Sequence, residues 1–390
     1  MESKQQKLER IYLNFERRKV QTVSDTSRNQ YSVGARAWFR FCSDTGINTD
    51  LSKIHVSMSH LSLSNYMTHM MGCFMSFLSE DEGLHPNSVS NYISGLKDYS
   101  KREGIDLSFI DEFQISNMQK AIQMAWTKSH SEKSDSAKMP ITLDMLTKWI
   151  ELTDFNDVIQ YSLVLTAMLQ FSQLMRISEV LPNSSANYHF LRSKDVQFEF
   201  SIGSFGSGEE TLLIPAFQIS SEYSLNKLIA VHIRLRSAKN DKEGVGFKYS
   251  HPNITCSEKR AYNLAQMMFK FCLIASPLSN DPFISFERKS CRRFLNYSKY
   301  NSSIKSLALV CGFDQKKFSS HSLRIGGTTL LAAADYSDSS FIKKMGRWSS
   351  DCYRKYIHFD SISKMEIGKS LCDPSIFTMS DMRRSNPSAV

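Results

Sequence analysis

The sequence predicts a mainly α-helical protein with a small antiparallel β-sheet, divided into a helical N-terminal unit and a larger α+β unit. Three observations carry this. Apolar residues recur at helical spacing through 25–128, a small polar stretch at 129–139 (SHSEKSDSAKM) interrupts them, and short alternating apolar runs begin only at Val196. At 390 residues the chain is long enough for two domains that each bury a core.

Residues 1–24 form an extension ahead of the first cap. Asp25–Thr26–Ser27 can cap a helix whose apolar positions include Tyr31, Ala35, Trp38, Phe39, Phe41 and Cys42. A helix rich in Met and Phe is expected near Leu63–Leu78. A third follows Pro86–Asn87–Ser88, with Val89, Tyr92, Ile93, Leu96 and Tyr99 on one stripe, and a fourth covers about Phe113–Thr127. Lys97, Lys101 and Arg102 lie off these stripes, where they can meet a phosphate or simply solvate the surface. Beyond the 129–139 linker, Pro140 precedes a capped helix at Thr142–Leu152. Asp157 caps a nearly all-apolar helix, Val158–Phe171, which must lie at the centre of the second unit, 140–365. Strand-like runs follow at Val196–Phe200, Leu212–Ile214 and Leu228–Leu235, with Gly246–Tyr249 returning after a turn. Helices dominate again from Ala261. Residues 366–390 read as a C-terminal segment ending in a frayed tail.

Hydrophobic content of 41% and charged content of 22% are those of a globular protein. The formal charge of +9 suits an anionic partner, and it is unevenly placed: residues 1–130 hold 15 Lys+Arg against 14 Asp+Glu, leaving 33 against 25 for the remainder. The eight cysteines show no CxxC and no paired Cys/His spacing, which argues against a zinc or disulfide framework. No apolar run has the length of a membrane span, and the N-terminus lacks that of a signal peptide, so an intracellular protein is expected.

The chemistry-bearing residues lie in the second unit. Arg176 follows the apolar helix in the phrase LMRISEV, with Glu179 three residues on, a spacing that suits an ion pair. A guanidinium beside an apolar helix needs a carboxylate or a phosphate, and Glu179 can orient Arg176 toward one. Lys239, in RSAKNDKEG, sits at a predicted hairpin tip, where an ammonium can reach a leaving oxygen; Lys242 is its rival. His321 and Arg324 share a helical face at the start of a helix after Ser319–Ser320, where backbone N–H groups favour anions. Gly326–Gly327 then permit close backbone approach. Trp348 follows the turn-forming Gly346–Arg347 and can donate one hydrogen bond. Tyr353 and Tyr356 come next, three residues apart on one short helix, and spacing alone does not say which is a nucleophile.

Arg176 with Glu179, a hairpin lysine, H-x-x-R, G-R-W and a tyrosine soon after, in this order, resemble the tyrosine recombinase (phage-integrase) family over about 140–365. The helical 25–128 unit is similar to that family's core-binding domain, and the second unit to its α+β catalytic domain. In bacterial and phage members the H/W position usually precedes the nucleophile by nine residues; here Trp348 precedes Tyr356 by eight. That step resembles recombinases of eukaryotic mobile elements of the Crypton and DIRS-like groups.

The resemblance implies that Tyr356 attacks a scissile phosphate of double-stranded DNA to form a 3′-phosphotyrosine. Arg176 and Arg324 then clamp the non-bridging oxygens, His321 assists proton transfer, Trp348 supports the phosphate and Lys239 protonates the 5′-oxygen. It implies neither metal nor ATP, a homotetramer on DNA with a Holliday junction between cuts, and a nuclear location in a eukaryotic host. Residues 357–378, with Ile362, Met365, Ile367 and Leu371, could dock on a neighbouring subunit or stay internal. A type IB topoisomerase shares this chemistry, and a domesticated DNA-binding protein without catalysis is the alternative from another class.

Overall fold

The computed structural model describes residues 25–47, 60–105, 107–108, 110–130, 138–182, 190–205, 208–236, 241, 245–254, 263–333 and 338–358. The chain divides into two compact units, Met1–Asp135 and Ser136–Val390. No helix among the described residues is long and apolar enough to cross a membrane.

The first unit is built from α1 (Asp25–Thr45), α2 (His60–Ser76), α3 (Pro86–Arg102) and α4 (Glu112–Ser129), with a π-helical turn, Phe77–Asp81, extending α2. The predicted stripes are its core: Trp38, Phe41, Met71, Phe74, Val89, Ile93 and Leu96 are buried, and Trp38 meets Phe74 edge-on at 5.2 Å. The Asp111 carboxylate accepts from Phe113 N and Gln114 N to cap α4, while its backbone N–H donates to the buried Thr68 hydroxyl on α2. Helix α3 begins at Pro86 itself, earlier than predicted. Proline is tolerated at a first helical position, and the His85 ring supplies the cap by accepting from Asn87 N at 3.1 Å. Lys97 pairs with Glu112 and Arg102 with Asp98, so these two cations meet carboxylates on the unit's own surface.

In the second unit, Thr142 caps α5 (Leu143–Glu151) and Asp157 caps α6 (Val158–Ser172). Residues Tyr161–Phe171 of α6 are buried on every side, as an apolar helix without a polar face must be. A short helix, α7 (Ile177–Val180), follows. Four antiparallel strands pair in the order β2-β1-β3-β4: β1 (Val196–Phe205), β2 (Gly208–Pro215), β3 (Leu228–Leu235) and β4 (Phe247–Pro252). Alternation sends Val196, Phe198, Phe200, Val231, Ile233 and Leu235 to one buried face, where Phe198 packs edge-on against Phe269 of α8 (Leu264–Ala275).

A second, two-stranded sheet, β5 (Ser285–Arg288) with β6 (Cys291–Phe294), interrupts the helical stretch expected from Ala261. Then come α9 (Tyr297–Val310), α10 (Ser320–Ala333), α11 (Ser339–Gly346) and a 3-10 turn, Asp351–Tyr356. Helix α10 passes very close to α6: a Cβ on Gly327 would lie 2.1 Å from the Phe171 carbonyl oxygen, and one on Gly326 would lie 1.9 Å from that of Ile141. Only glycines allow this approach, which fixes the middle of α10 beside the C-terminal end of α6.

Candidate active site

The end of α6, the start of α7, α10, the end of α11 and the 3-10 turn bring most of the predicted residues together. Leu174, in the turn between α6 and α7, has φ 48° and is fully buried; it packs with Ile342, Trp348 and Tyr353 in a small apolar cluster beneath the site.

Arg176 precedes α7, half-buried. Its backbone N–H donates to Glu179 Oε2 at 2.7 Å and its Nη1 to Glu179 Oε1 at 3.1 Å. The predicted ion pair is therefore present, and Glu179 itself is 2% exposed.

Sequence reasoning missed the next residue. Arg347 was read as part of a turn, and it does take the left-handed conformation (φ 56°) that ends α11. Its guanidinium, however, is fully buried and donates to Glu179 Oε2, the Tyr249 hydroxyl, and the carbonyls of Leu174 (3.1 Å), Met345 (3.2 Å) and Gln173 (3.4 Å). One carboxylate thus serves two arginines. Burial pushes the Tyr249 phenol above its usual pKa, so it stays protonated and can donate onward to the Met345 carbonyl at 3.4 Å.

Arg324 projects from α10 and is 2% exposed. Its Nη2 donates to the Gly346 carbonyl, whereas its Nε and Nη1 are buried without a hydrogen-bond partner. A buried N–H without a partner costs roughly 1–3 kcal/mol, more on a charged group. The Trp348 ring lies 4.4 Å from the guanidinium carbon and that of Tyr356 5.6 Å. Burial, then the Arg176 and Arg347 charges, lower the Arg324 pKa to about 10, which still leaves it protonated at pH 7. Three guanidiniums against one carboxylate give this cluster a net charge of +2.

His321 stands one helical turn before Arg324 and is exposed to solvent, its ring centroid 4.8 Å from that of Tyr356. Crowding by protein, followed by the Arg324 and Arg176 charges, holds its pKa below the usual imidazole value. Helix α10 starts at Ser320, which leaves Ser319 just ahead of it. Ser319 N donates to Ser322 Oγ, and Ser320 N to Asn301 Oδ1.

The two tyrosines differ in burial. Tyr353 is 5% exposed, in the apolar cluster under Trp348, with the Lys343 ammonium 5.8 Å from its ring centroid. Tyr356 is half-buried, its ring 4.9 Å from that of Trp348 and facing Arg324 and His321. Thr329 of α10, also missed from sequence, steadies this end of the turn: its hydroxyl donates to the Tyr356 carbonyl at 3.0 Å and accepts from His358 N. Gly346 has its own reason. A Cβ there would lie 1.8 Å from the Trp348 ring, so glycine lets the indole lie flat over the end of α11.

Lys239, its rival Lys242 and all but the first two residues of the 357–378 segment proposed for docking lie outside the described residues.

A scan against protein-family models gives no match, and neither does a search of curated proteins. Solved structures do match in fold. The XerH site-specific recombinase bound to palindromic difH substrate, in a post-cleavage complex, aligns with a TM-score of 0.50 at 15% identity, over 88% of this chain and 79% of that one. Its pre-cleavage complex with difH substrate aligns at 0.48 and 15% identity over the same shares. The Tn1549 transposon integrase (residues 82–397) with circular intermediate DNA aligns at 0.36 and 14% identity, over 86% and 98%. The likeness to XerH is one of fold: a mainly helical chain whose second unit carries a small antiparallel sheet, as in recombinase catalytic domains.

Proposed function

We propose that this chain is a site-specific DNA recombinase that cuts and rejoins strands through a phosphotyrosine at Tyr356. The observation that carries the reading is Arg324, a buried guanidinium with two N–H-bearing nitrogens unpartnered, set beside a half-buried phenol. A phosphodiester oxygen satisfies what the protein leaves open there.

The Tyr356 oxygen attacks phosphorus, the bond to the 5′-oxygen breaks, and a 3′-phosphotyrosine remains. Arg324 and Arg176 hold the non-bridging oxygens. The cluster's net +2 is matched to the second negative charge that develops as phosphorus becomes five-coordinate, so attraction grows toward the transition state. His321, neutral at pH 7 through its lowered pKa, can accept the phenol proton. Trp348 covers Arg324 and excludes water. Lys239, or Lys242, protonates the departing 5′-oxygen; this assignment rests on sequence position. Because the ester conserves the bond energy, attack by a second 5′-hydroxyl reverses the step and joins strands without ATP or metal. The XerH structure is bound to its difH substrate, which supports a DNA substrate here. We extend the reading to a homotetramer on DNA, and, from the Trp348-to-Tyr356 step, to a mobile element of the Crypton or DIRS-like type.

A nicked suicide duplex bearing the element's terminal sequence tests this. The chain should form a covalent adduct that survives denaturation, and it should join strands between partner duplexes. No adduct would sink the enzyme reading in favour of a DNA-binding protein. Relaxation of supercoiled DNA by a monomer without partner joining would favour a topoisomerase.

A further inference from the structure

We infer that Arg347 is a positioning residue: it holds Glu179, and through Glu179 sets the Arg176 guanidinium in the attitude a phosphate requires. The inference deepens the recombinase reading and rests on it.

Both terminal nitrogens of the fully buried Arg347 guanidinium are engaged, by a carboxylate, a phenol and three carbonyls, so neither is left to take a ligand. Arg324, equally buried, keeps two nitrogens unpartnered. The two neighbouring arginines thus differ: Arg347 spends both terminal nitrogens on the protein, whereas Arg324 spends only one.

What Arg347 is spent on shows its effect. Glu179 Oε1 takes Nη1 of Arg176, and Oε2 takes the Arg176 backbone N–H together with Nη2 of Arg347. This second demand on Oε2 prevents the carboxylate from swinging both oxygens onto the Arg176 fork. A bidentate pair would consume the donors that a phosphate needs. Arg347 therefore leaves Arg176 tethered by one side-chain bond and free to face a ligand with the remainder. The same guanidinium joins the turn after α6, α7, β4 and the end of α11, so the carboxylate is aimed by four elements at once. Tyr356 lies nine residues beyond Arg347, so the link also fixes the frame from which the 3-10 turn departs.

The experiment measures single-turnover adduct formation on the nicked suicide duplex in two forms, one with a normal scissile phosphate and one with a methylphosphonate, which lacks the negative charge. The variants are Arg347→Lys, which keeps the charge but cannot span the acceptors, and Tyr249→Phe, which removes one acceptor and is packing-neutral. Arg347→Lys should lower the rate on the normal duplex by roughly 10- to 100-fold, the scale on which supporting partners of a site matter. Duplex binding should stay within about two-fold, because Arg347 touches no DNA. On the methylphosphonate, where a cationic clamp contributes little, the ratio of unaltered to variant rate should shrink toward one. Tyr249→Phe should show the same pattern at smaller size, and decides the matter if Arg347→Lys does not fold. An equal loss on both duplexes would make Arg347 merely structural, and a loss confined to binding would make it a DNA contact; either overturns the inference. No adduct from the unaltered chain would instead bring down the recombinase reading itself, and this inference with it.

Discussion

The two units treat their interiors differently. Among the described residues, the N-terminal unit buries only Thr68 and Ser100 as polar side chains, around a core of Trp38, Phe41, Phe74 and the methionines of α2. The second unit buries Arg324, Arg347 and Glu179, all below 5% exposure, in one neighbourhood. Both interiors arise from the same local rules of caps, apolar stripes and close helix crossings. The first is closed on itself. The second keeps two nitrogens of the buried Arg324 without a hydrogen-bond partner, at a cost of roughly 1–3 kcal/mol each.

That contrast is sharpest where catalysis and stability separate. The largest effect should come from Tyr356→Phe, which removes the proposed nucleophile and should bring adduct formation below detection while leaving the melting temperature nearly unchanged. Tyr353→Phe should retain the adduct within a few-fold. Next is Arg324→Met. Loss of a preorganised donor should slow adduct formation by roughly 10²–10³-fold. Because it also removes a repelled, half-satisfied cation, the melting temperature should hold or rise; a marked fall would show that Arg324 is an ordinary structural pair. Trp38→Ala is the opposite case, costing about 3–5 kcal/mol in denaturant unfolding of the first unit by opening its core. Gly346→Ala should cost about 1–3 kcal/mol, since the new methyl must displace the Trp348 ring, and should lower adduct yield in parallel.

The smallest effect concerns His321. Its native pKa lies below its unfolded value of about 6.5, so the native state binds fewer protons in the interval between them. Stability should therefore fall as pH drops through that interval, and His321→Asn should flatten this part of the pH–stability curve. An unchanged slope would contradict the cationic environment assigned to the imidazole.

Much of the fold was legible because local signals and burial agreed. Asp157 and Thr142 cap where predicted, the all-apolar α6 is central, and β3 spans Leu228–Leu235 as its alternation indicated. The β5–β6 hairpin was not. Its strands have four residues each, half of them charged, and its turn places Lys289 and Ser290 at φ 51° and 55° without a glycine, asparagine or aspartate to announce it.

In the candidate site, the order of residue types pointed to Arg176, His321, Arg324, Trp348 and Tyr356, and the fold gathers these five. Arg347 was hidden because an arginine after a glycine reads as a solvated turn; its burial is created by Glu179, 168 residues away in sequence. Thr329 was hidden for a similar reason, since one hydroxyl on an apolar helix gives no sign that it holds the backbone of a distant turn. The three-residue spacing left Tyr353 and Tyr356 on one face, the eight-residue step from Trp348 favoured Tyr356 through the resemblance, and the fold adds that Tyr353 is buried and Tyr356 half-buried.

The separation of these tyrosines is the most direct test of the whole account. Trypsin cuts after Arg354 and Lys355, so Tyr353 leaves in the peptide Trp348–Arg354 and Tyr356 in Tyr356–Lys364. Mass spectrometry of a nuclease-trimmed adduct from the suicide duplex should find the nucleotide remnant on Tyr356–Lys364. A remnant on Trp348–Arg354 would contradict the assignment of the half-buried phenol beside Arg324 as the attacking group.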